Sequence, residues 1–356
     1  MKRPALRILG FGRKAKPVLR AHSTLAGELS RELTSRRLPL TFDYLHTQPS
    51  HLLDLTLRDI LPHSRPLGRE DSVLPSVKSA FPLPAGHHLV YFPPQVTLSQ
   101  LLADGTDTLH SPGGPFNRRL WAGGRVRFPT RSGLVLDGSR AVCIETIRDI
   151  VCKGRPGEEK VIVRIERRIG PVQESEQEDS IRARLWREDE EDFGQSSIIE
   201  NRDLIFMREK SPEELARDQV NFQKQRIVKS PSDAAFRYNI TPTKTLLFRF
   251  SALTFNAHAI HLDEAYTRDA EGFRGLLVHG PLTLTLLLTA IQPHLAKLNR
   301  TIREIEYKNL TPVYAEETLS VCGKPKPADP NAAWDVWIEG KEGGLAVRGS
   351  VRFDAM

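Results

Sequence analysis

Three histidines and one asparagine lie close together in residues 250–281, in the second half of the chain. They are Asn256, His258, His261 and His279. The imidazole of histidine has an ordinary pKa near neutrality, so it can both accept and donate a proton under physiological conditions. This set of side chains therefore predicts acid–base catalysis.

The set suits the addition or removal of water beside a thioester carbonyl. Besides a proton-transfer group, that reaction needs a side chain that holds the hydroxyl or water oxygen. It also needs donors that face the thioester oxygen as enolate charge develops. Asn256 would meet the first need, and the unpaired N–H groups of a helix that begins near Pro281 would meet the second.

Each residue also has a purely structural interpretation. His258 and His261 could be an incidental pair or metal ligands, but no cysteine or carboxylate cluster completes a usual ligand set, so no metal site is predicted. Asn256 could hold a turn, and His279 could bond to backbone at a helix entry. Asp263 is interpreted as the cap of the turn that follows it.

The elements that would position these residues repeat along the chain. Residues 282–291 are the most apolar run, too short for a bilayer and interrupted by threonines, so they predict a buried helix over about 281–298 and no membrane span. Alternation of polar and apolar residues predicts strands at 125–128, 141–149 and 160–169, and again at 245–250, 305–308, 317–323, 333–339 and 345–353.

This order indicates an α+β fold made of two copies of one unit, an antiparallel sheet that wraps an apolar helix. Helix 281–298 would be the wrapped helix of the second copy, and a poorer segment near residues 96–102 would take its place in the first. A glycine turn at 153–158 joins two strands as a hairpin. A glycine-rich stretch at 113–124 is interpreted as a loop.

Composition limits the compartment and the partners. Of 356 residues, 39% are hydrophobic and 27% are charged, which is typical of a folded globular protein. The three cysteines fit neither a zinc site nor a disulfide framework, which favours a reducing compartment. The net charge of +7 equals the seven basic residues that precede Glu28, so no nucleic-acid partner is predicted.

Those basic residues lie among apolar ones, with no acidic residue and no continuous apolar core, which is typical of a mitochondrial transit segment over residues 1–27. A disordered basic tail is the alternative. The rest of the chain is expected to divide into an N-terminal extension at 28–87, a first unit at 88–170, a linker at 171–235 that begins with an acidic stretch, and a second unit at 236–356.

Two motifs resemble one family. Residues 250–279 resemble the hydratase 2 signature of MaoC-like dehydratases, in which Asp, Asn-Pro, an aliphatic residue and His follow in order. Here Asn256 stands at the Asp position, His258 at the Asn position and His261 at the catalytic His position. Residues 115–124 are similar to an Arg-Arg-Met-Trp-Ala-Gly-Gly stretch of a subgroup that includes fungal mitochondrial 3-hydroxyacyl-thioester dehydratase type 2 and mesaconyl-CoA hydratase-like proteins.

The resemblance implies a double hot-dog fold with its active site between the two halves and its catalytic loop in the second half only. His261 would be the general acid/base, and Asn256 would orient the departing water without taking a proton. His279 and Gly280 would bind substrate, with the Gly280 backbone facing the thioester oxygen. No cofactor is implied, and the substrate would be an (R)-3-hydroxyacyl thioester.

The function expected from these observations is reversible dehydration of such thioesters in mitochondrial fatty acid synthesis, in the matrix, with acyl carrier protein or coenzyme A as the carrier. One alternative is a catabolic hydratase of short enoyl-CoA esters of the mesaconyl type. Another is a hot-dog protein that binds acyl thioesters without catalysis. The two halves would form a pseudo-dimer within a monomer, or the chain would form a homodimer.

Overall fold

The computed structural model describes residues 17–61, 73–129, 133–221 and 227–355. Its helices are α1 (Pro17–Thr34), α2 (Thr47–Leu57), α3 (Glu178–Leu185), α4 (Pro212–Asn221), α5 (Lys244–Leu253), α6 (Glu264–Asp269) and α7 (Gly280–Lys297). Its strands are β1 (Thr41–Tyr44), β2 (Phe81–Pro82), β3 (Arg118–Arg127), β4 (Val135–Leu136), β5 (Arg140–Lys153), β6 (Lys160–Pro171), β7 (Ile198–Met207), β8 (Phe236–Ile240), β9 (Arg300–Asn309), β10 (Leu319–Pro325), β11 (Ala333–Glu339) and β12 (Leu345–Ala355).

Ten of these strands form one antiparallel sheet in the order β1-β5-β6-β7-β3-β9-β12-β11-β10-β8. The order is palindromic: each half begins at an outer edge strand, β1 or β8, and returns toward the middle. The halves meet where β3 pairs with β9, from Gly123 opposite Lys308 to Arg127 opposite Glu304. This repetition confirms the α+β double hot-dog fold that the strand pattern and the resemblance indicated.

Helix α7 is the wrapped helix of the second half. Leu282, Leu284, Leu286, Leu287 and Leu288 are all fully buried in the largest core cluster. A helix that is apolar on every side is stable in water only when a sheet surrounds it. No helix in the described ranges is long and apolar enough to cross a membrane.

Replacement of Leu286 by alanine is expected to destabilise the fold by about 2–5 kcal/mol, because the side chain is fully buried and its loss leaves a cavity. Urea unfolding measures the change. Leu298→Ala is the control, since that side chain is 45% exposed just after α7; its effect should stay within about 0.5 kcal/mol. Equal losses in the two variants would contradict this assignment of the core.

The first half has no counterpart of α7 in the described residues. Segment 96–102, expected to take that place, contains only the 3-10 turn Leu98–Gln100, and Leu98 is 87% exposed. Leucines of α1, Leu29 and Leu33, pack instead against part of the sheet, with Ile147 and Val163. The leucines of α1 therefore cover this part of the sheet, a role that segment 96–102 was expected to have.

Charged side chains of the sheet itself occupy the part that α1 does not cover. Glu145, Arg167 and Glu200 stand opposite one another on β5, β6 and β7. Arg167 lies 2.7 Å from the Glu145 carboxylate and 3.1 Å from that of Glu200, and His88 lies 3.6 Å from Glu200. Such charges are tolerated inside a protein because each has an opposite charge beside it.

The structure differs from the expected division of the chain in two places. Strand β1 pairs with β5, so the first sheet begins at residue 41, within the expected extension. Strand β7 lies between β6 and β3, within the expected linker 171–235. The expected transit segment, residues 1–27, lies largely outside the described residues, and its last part belongs to α1.

Two local predictions were wrong. Residues 245–250 form most of α5 and not a strand. Leu246, Leu247 and Phe250 are buried on one helical face, and the Thr243 side chain accepts a hydrogen bond from the Leu246 N–H at the helix start. The glycine-rich stretch 113–124 is largely strand β3 and not a loop.

Candidate active site

The histidine segment runs between α5 and α7. It contains the 3-10 turn Ala259–His261 and then α6, whose N-terminus is capped by Asp263, since the Asp263 carboxylate accepts a hydrogen bond from the Tyr266 N–H at 3.0 Å. The capping interpretation of Asp263 is thereby confirmed. The Leu277 N–H donates to the Ile260 carbonyl, and this bond holds the segment before α7 against the 3-10 turn.

His261 is held in one tautomer. Its Nδ1 lies 2.7 Å from the Leu277 carbonyl oxygen, which can only accept, so Nδ1 carries the proton and Nε2 keeps its lone pair. Burial lowers the pKa of His261 to about 4, and the positive charge of Arg119 acts in the same direction. The ring is therefore neutral at pH 7, with Nε2 as a base.

Burial also lowers the pKa of His258 and of His279 well below the ordinary value, so all three rings are neutral when folded and titrate near 6.5 when unfolded. As pH falls below about 6.5 the unfolded chain binds more protons, so stability is lost between about pH 6.5 and 4. His261 alone would contribute on the order of 3 kcal/mol over that range. Urea unfolding at pH 7.5 and pH 5 should show the loss, and His261→Gln should lose less; an unchanged pH dependence would refute this account.

Asn256 holds the loop that leads to the histidines. Its Oδ1 accepts a hydrogen bond from the His258 N–H at 3.0 Å, as the turn interpretation predicted. The residue before it, Phe255, has a positive φ of 50°, which is uncommon for an aromatic residue. The Asn256 N–H bonds to the Ser251 carbonyl at 2.9 Å, and this bond helps to keep the strained backbone in place.

His279 lies behind His261. Its ring is fully buried, stacks on the His261 ring with 3.7 Å between centroids, and hydrogen-bonds to Ser251 Oγ at 2.8 Å. His279 occupies the N-cap position of α7, but it is not among the residues that line the cavity described below. The geometry thus gives His279 a supporting position and differs from the direct substrate contact that the motif implied.

Gly280 is the first residue of α7 and lies at the junction of the two halves. A Cβ atom there would meet Trp121 of β3, with Cβ at 2.7 Å and Cγ at 2.8 Å, so only glycine fits. Asn309 fixes this contact, since its Nδ2 donates to the Trp121 carbonyl and its Oδ1 accepts from Thr283 Oγ1. The Gly280 N–H belongs to the first helical turn, whose donors have no partners within the helix.

A cavity of about 710 Å³ runs along this junction. Asn256, His258, His261 and Gly280 line it from the second half, while the first half contributes β3 and the loop before it. The size is that of a typical small-molecule site. Of the four residues to which the resemblance gave a role, the cavity brings together Asn256, His261 and Gly280, and His258 of the same histidine set lines it beside them.

Two residues of the first half were missed by sequence reasoning. Arg119 lines the cavity, and its guanidinium lies 3.1 Å from the Asp107 carboxylate. Asp104 lies 3.4 Å from His258 Nε2. Arg119 belongs to the quoted Arg-Arg-Leu-Trp motif, which was a signal for it, whereas nothing local distinguishes Asp104 from an ordinary turn aspartate.

Solved structures share this architecture. A MaoC-like dehydratase from Phytophthora capsici superposes with a TM-score of 0.58 at 11% identity, over 92% of this chain and 99% of that one. HtdX from Mycobacterium tuberculosis gives a TM-score of 0.53 at 10% identity, over 88% and 99%. The chain therefore has the double hot-dog fold of the MaoC-like proteins, with one continuous sheet built from two halves.

The chain belongs to the hydroxyacyl-thioester dehydratase type 2 family, whose profile matches residues 86–315, and it is a hydro-lyase. It is 29% identical to mesaconyl-C(4)-CoA hydratase of Chloroflexus aurantiacus, over 76% of this chain and 83% of that protein. It is 26% identical to the mitochondrial hydroxyacyl-thioester dehydratase type 2 of Schizosaccharomyces pombe, over 79% and 88%. The family resemblance and the enzyme class expected from the two motifs are confirmed.

Proposed function

We propose that this enzyme interconverts (R)-3-hydroxyacyl and trans-2-enoyl thioesters of mitochondrial fatty acid synthesis. The observation that carries the proposal is the His261 ring on the cavity wall, with its proton held on Nδ1 by the Leu277 carbonyl and with Nε2 left as a base. The (R) configuration follows from the likeness to hydratase 2 enzymes.

In the dehydration direction, His261 Nε2 takes the proton from C2 of the acyl chain while the C3–O bond breaks. Negative charge moves toward the thioester oxygen, and the Gly280 N–H at the start of α7 is the donor that would face it. The Asn256 amide would hold the departing oxygen. An amide cannot accept a proton at neutral pH, so Asn256 orients water and does not act as a base.

The three arginines on the cavity wall favour fatty acyl chains over dicarboxylic ones; the fourth lining cation is Lys160, which a substrate carboxylate could reach. A second carboxylate on the substrate would need a free cation. Each of three arginines on the wall already has a carboxylate beside it: Arg119 with Asp107, Arg167 with Glu145, and Arg202 with Glu200 at 2.7 Å. An apolar acyl chain meets no such competition.

A second candidate function is hydration of a short CoA ester of the mesaconyl type. The observation that favours it is the 29% identity to the Chloroflexus aurantiacus protein of that name.

Hydration of enoyl thioesters, followed by loss of the enoyl absorbance, separates these functions. We expect turnover of crotonyl-CoA and faster turnover of longer trans-2-enoyl chains, tested on both coenzyme A and acyl carrier protein. A preference for mesaconyl-type esters would support the second function. Absence of turnover with every substrate would overturn the proposal.

We further propose that the enzyme works in the mitochondrial matrix with acyl carrier protein as its partner. The basic composition of residues 1–27 and the mitochondrial relatives of two yeasts support this location. A fusion of residues 1–30 to a fluorescent reporter should enter mitochondria, and a cytosolic signal would overturn the location.

The continuous sheet through β3 and β9 supports a monomer whose halves form a pseudo-dimer, which light scattering would test against a homodimer.

A further inference from the structure

A carboxylate from the first half lies beside a histidine of the catalytic loop. Asp104 Oδ2 is 3.4 Å from His258 Nε2, and both side chains are about 95% buried. Neither of these two atoms has a closer hydrogen-bond partner among the described residues. The opposite oxygen, Asp104 Oδ1, accepts from the Thr106 N–H at 2.9 Å and from Thr106 Oγ1 at 2.7 Å.

The loop that carries Asp104 is fitted closely to the loop that carries His258. The Ala259 N–H donates to the Asp104 carbonyl at 2.8 Å. A Cβ atom on Gly105, which has a φ of +79°, would lie 2.2 Å from the Ala257 carbonyl oxygen. The two loops come from different halves, so their contact is a specific feature of the folded chain and not a consequence of sequence proximity.

Elimination of water moves two protons, and His261 accounts for only one of them. The proton from C2 goes to His261 Nε2, while the departing hydroxyl needs a proton of its own. In the family signature an aspartate occupies the position of Asn256, and an amide cannot replace its proton transfer. His258 lines the same cavity, with its ring centroid 5.5 Å from that of His261.

We propose that His258, oriented by Asp104, is the second acid/base group of the active site, and that Asp104 supplies from the first half the carboxylate missing at position 256. This proposal rests on the dehydratase function proposed above. The two atoms are 3.4 Å apart and are not hydrogen-bonded in the resting structure, but a small turn of the ring would let His258 Nε2–H donate to the Asp104 carboxylate. Nδ1 would then be the nitrogen that exchanges a proton with the substrate oxygen. The arrangement follows the logic of an aspartate that orients a histidine and stabilises its protonated form.

The protons and electrons balance without any further reagent. In dehydration, the C2–H bond breaks, its proton goes to His261 Nε2, and its electron pair forms the C2–C3 double bond. The C3–O bond breaks and its electron pair leaves with oxygen. His258, whose resting ring is neutral, first takes a proton from solvent and gives it to that oxygen, so water is released. His261 then releases its proton to solvent, which restores the neutral resting state, and hydration reverses each step.

The Asp104 carboxylate lies 3.4 Å from His258 Nε2, and an opposite charge at that distance would favour the protonated form of the ring. Arg119 on β3 and His261 on the adjoining turn both disfavour it, and the neutral His279 lies behind His261. Removal of the Asp104 charge should therefore make His258 harder to protonate. In the hydration direction, where His258 must be unprotonated, the acidic limb of the kcat–pH profile should move to lower pH.

Asp104→Asn, His258→Gln and the double variant test the pair, with crotonyl-CoA as substrate. The asparagine side chain keeps an Oδ1 acceptor for Thr106 but presents an amide NH2 group to His258. We expect kcat to fall about 10²-fold or more in each single variant, and the double variant to be no slower than His258→Gln, because the two residues act as one unit. In Asp104→Asn the acidic limb should move by roughly one pH unit or more.

Asp263→Asn is the matched control. It removes a carboxylate two residues after His261, yet asparagine caps a helix as well as aspartate does, so kcat should stay at the wild-type value. Wild-type kcat in Asp104→Asn, additive losses in the double variant, or a loss without movement of the acidic limb would each overturn the pair alone. Inactivity of the wild-type enzyme with every enoyl thioester would overturn the proposed function with it.

Discussion

His261→Ala is expected to lower kcat for the hydration of crotonyl-CoA about 10²–10⁴-fold. The substitution removes the neutral imidazole whose Nε2 exchanges the C2 proton, and neither neighbouring histidine is placed to replace it. His258 faces Asp104, and His279 is fully buried behind the His261 ring. KM should change much less than kcat, because the lost interaction belongs to the transition state.

Replacement of an exposed histidine separates this effect from a general loss of histidine. His46 precedes α2, makes no capping hydrogen bond within the described residues and lies on the surface, so His46→Ala should retain wild-type kcat. Circular dichroism and thermal unfolding of His261→Ala should show a folded protein. If the folded variant kept more than a tenth of the wild-type kcat, His261 would not be the principal proton-transfer group.

Gly280→Ala is expected to lower kcat up to about 10²–10³-fold, the cost of losing one oxyanion donor. The added methyl group would lie 2.7 Å from Trp121 Cβ and 3.0 Å from Asn309 Nδ2, so the start of α7 must move away from β3. That movement displaces the Gly280 N–H from the position facing the thioester oxygen. A lower melting temperature should accompany the loss, because the same contact joins the two halves.

Gly275→Ala is the matched control for this substitution. Gly275 lies in the segment that leads to α7, but an added Cβ there has no neighbour within 4 Å in the described part of the chain. It should retain wild-type kcat and a wild-type melting temperature. A Gly280→Ala enzyme with full activity would show that the first turn of α7 can shift without harm, and the thioester oxygen would then need another donor.

The two predictions examine opposite ends of one reaction. In the proposed mechanism, His261 takes the proton at C2, and the Gly280 N–H faces the charge that this removal sends to the thioester oxygen. Both groups are positioned by the same short segment, residues 277–280. The Leu277 carbonyl holds the His261 ring, and α7 begins three residues after Leu277. Small displacements of this segment should therefore affect both functions together.

Local sequence pattern was sufficient where one physical period dominates. The leucine-rich run predicted α7, and the alternation of the second half predicted β9 to β12, because buried leucines or alternating faces leave few other arrangements. The histidine motif likewise predicted a site in the second half. The motif residues are close together in the chain, so the local backbone is enough to place His261 and Gly280 near the same cavity.

Local pattern failed where neighbours from elsewhere in the chain decide the structure. The Gly123-Gly124 pair reads as a loop, yet it forms part of β3, because glycine alone admits the backbones of β7 and β9, whose atoms would lie within 2.3 Å of an added Cβ. Residues 245–250 alternate like a strand, but their buried face is helical once Thr243 caps them. Neither outcome can be read from a window of the sequence.

The active site divides in the same way. The sequence by itself predicted the family, the double hot-dog architecture and a site in the histidine segment, since the motifs and the strand alternation that carry these predictions are each local in the chain. Only the tertiary structure decided that His279 supports the His261 ring from behind, that Arg119 shares the cavity, and that Asp104 meets His258 across 154 positions. Contacts between halves arise from packing of the ten-stranded sheet with its helices and loops, and packing depends on every element at once.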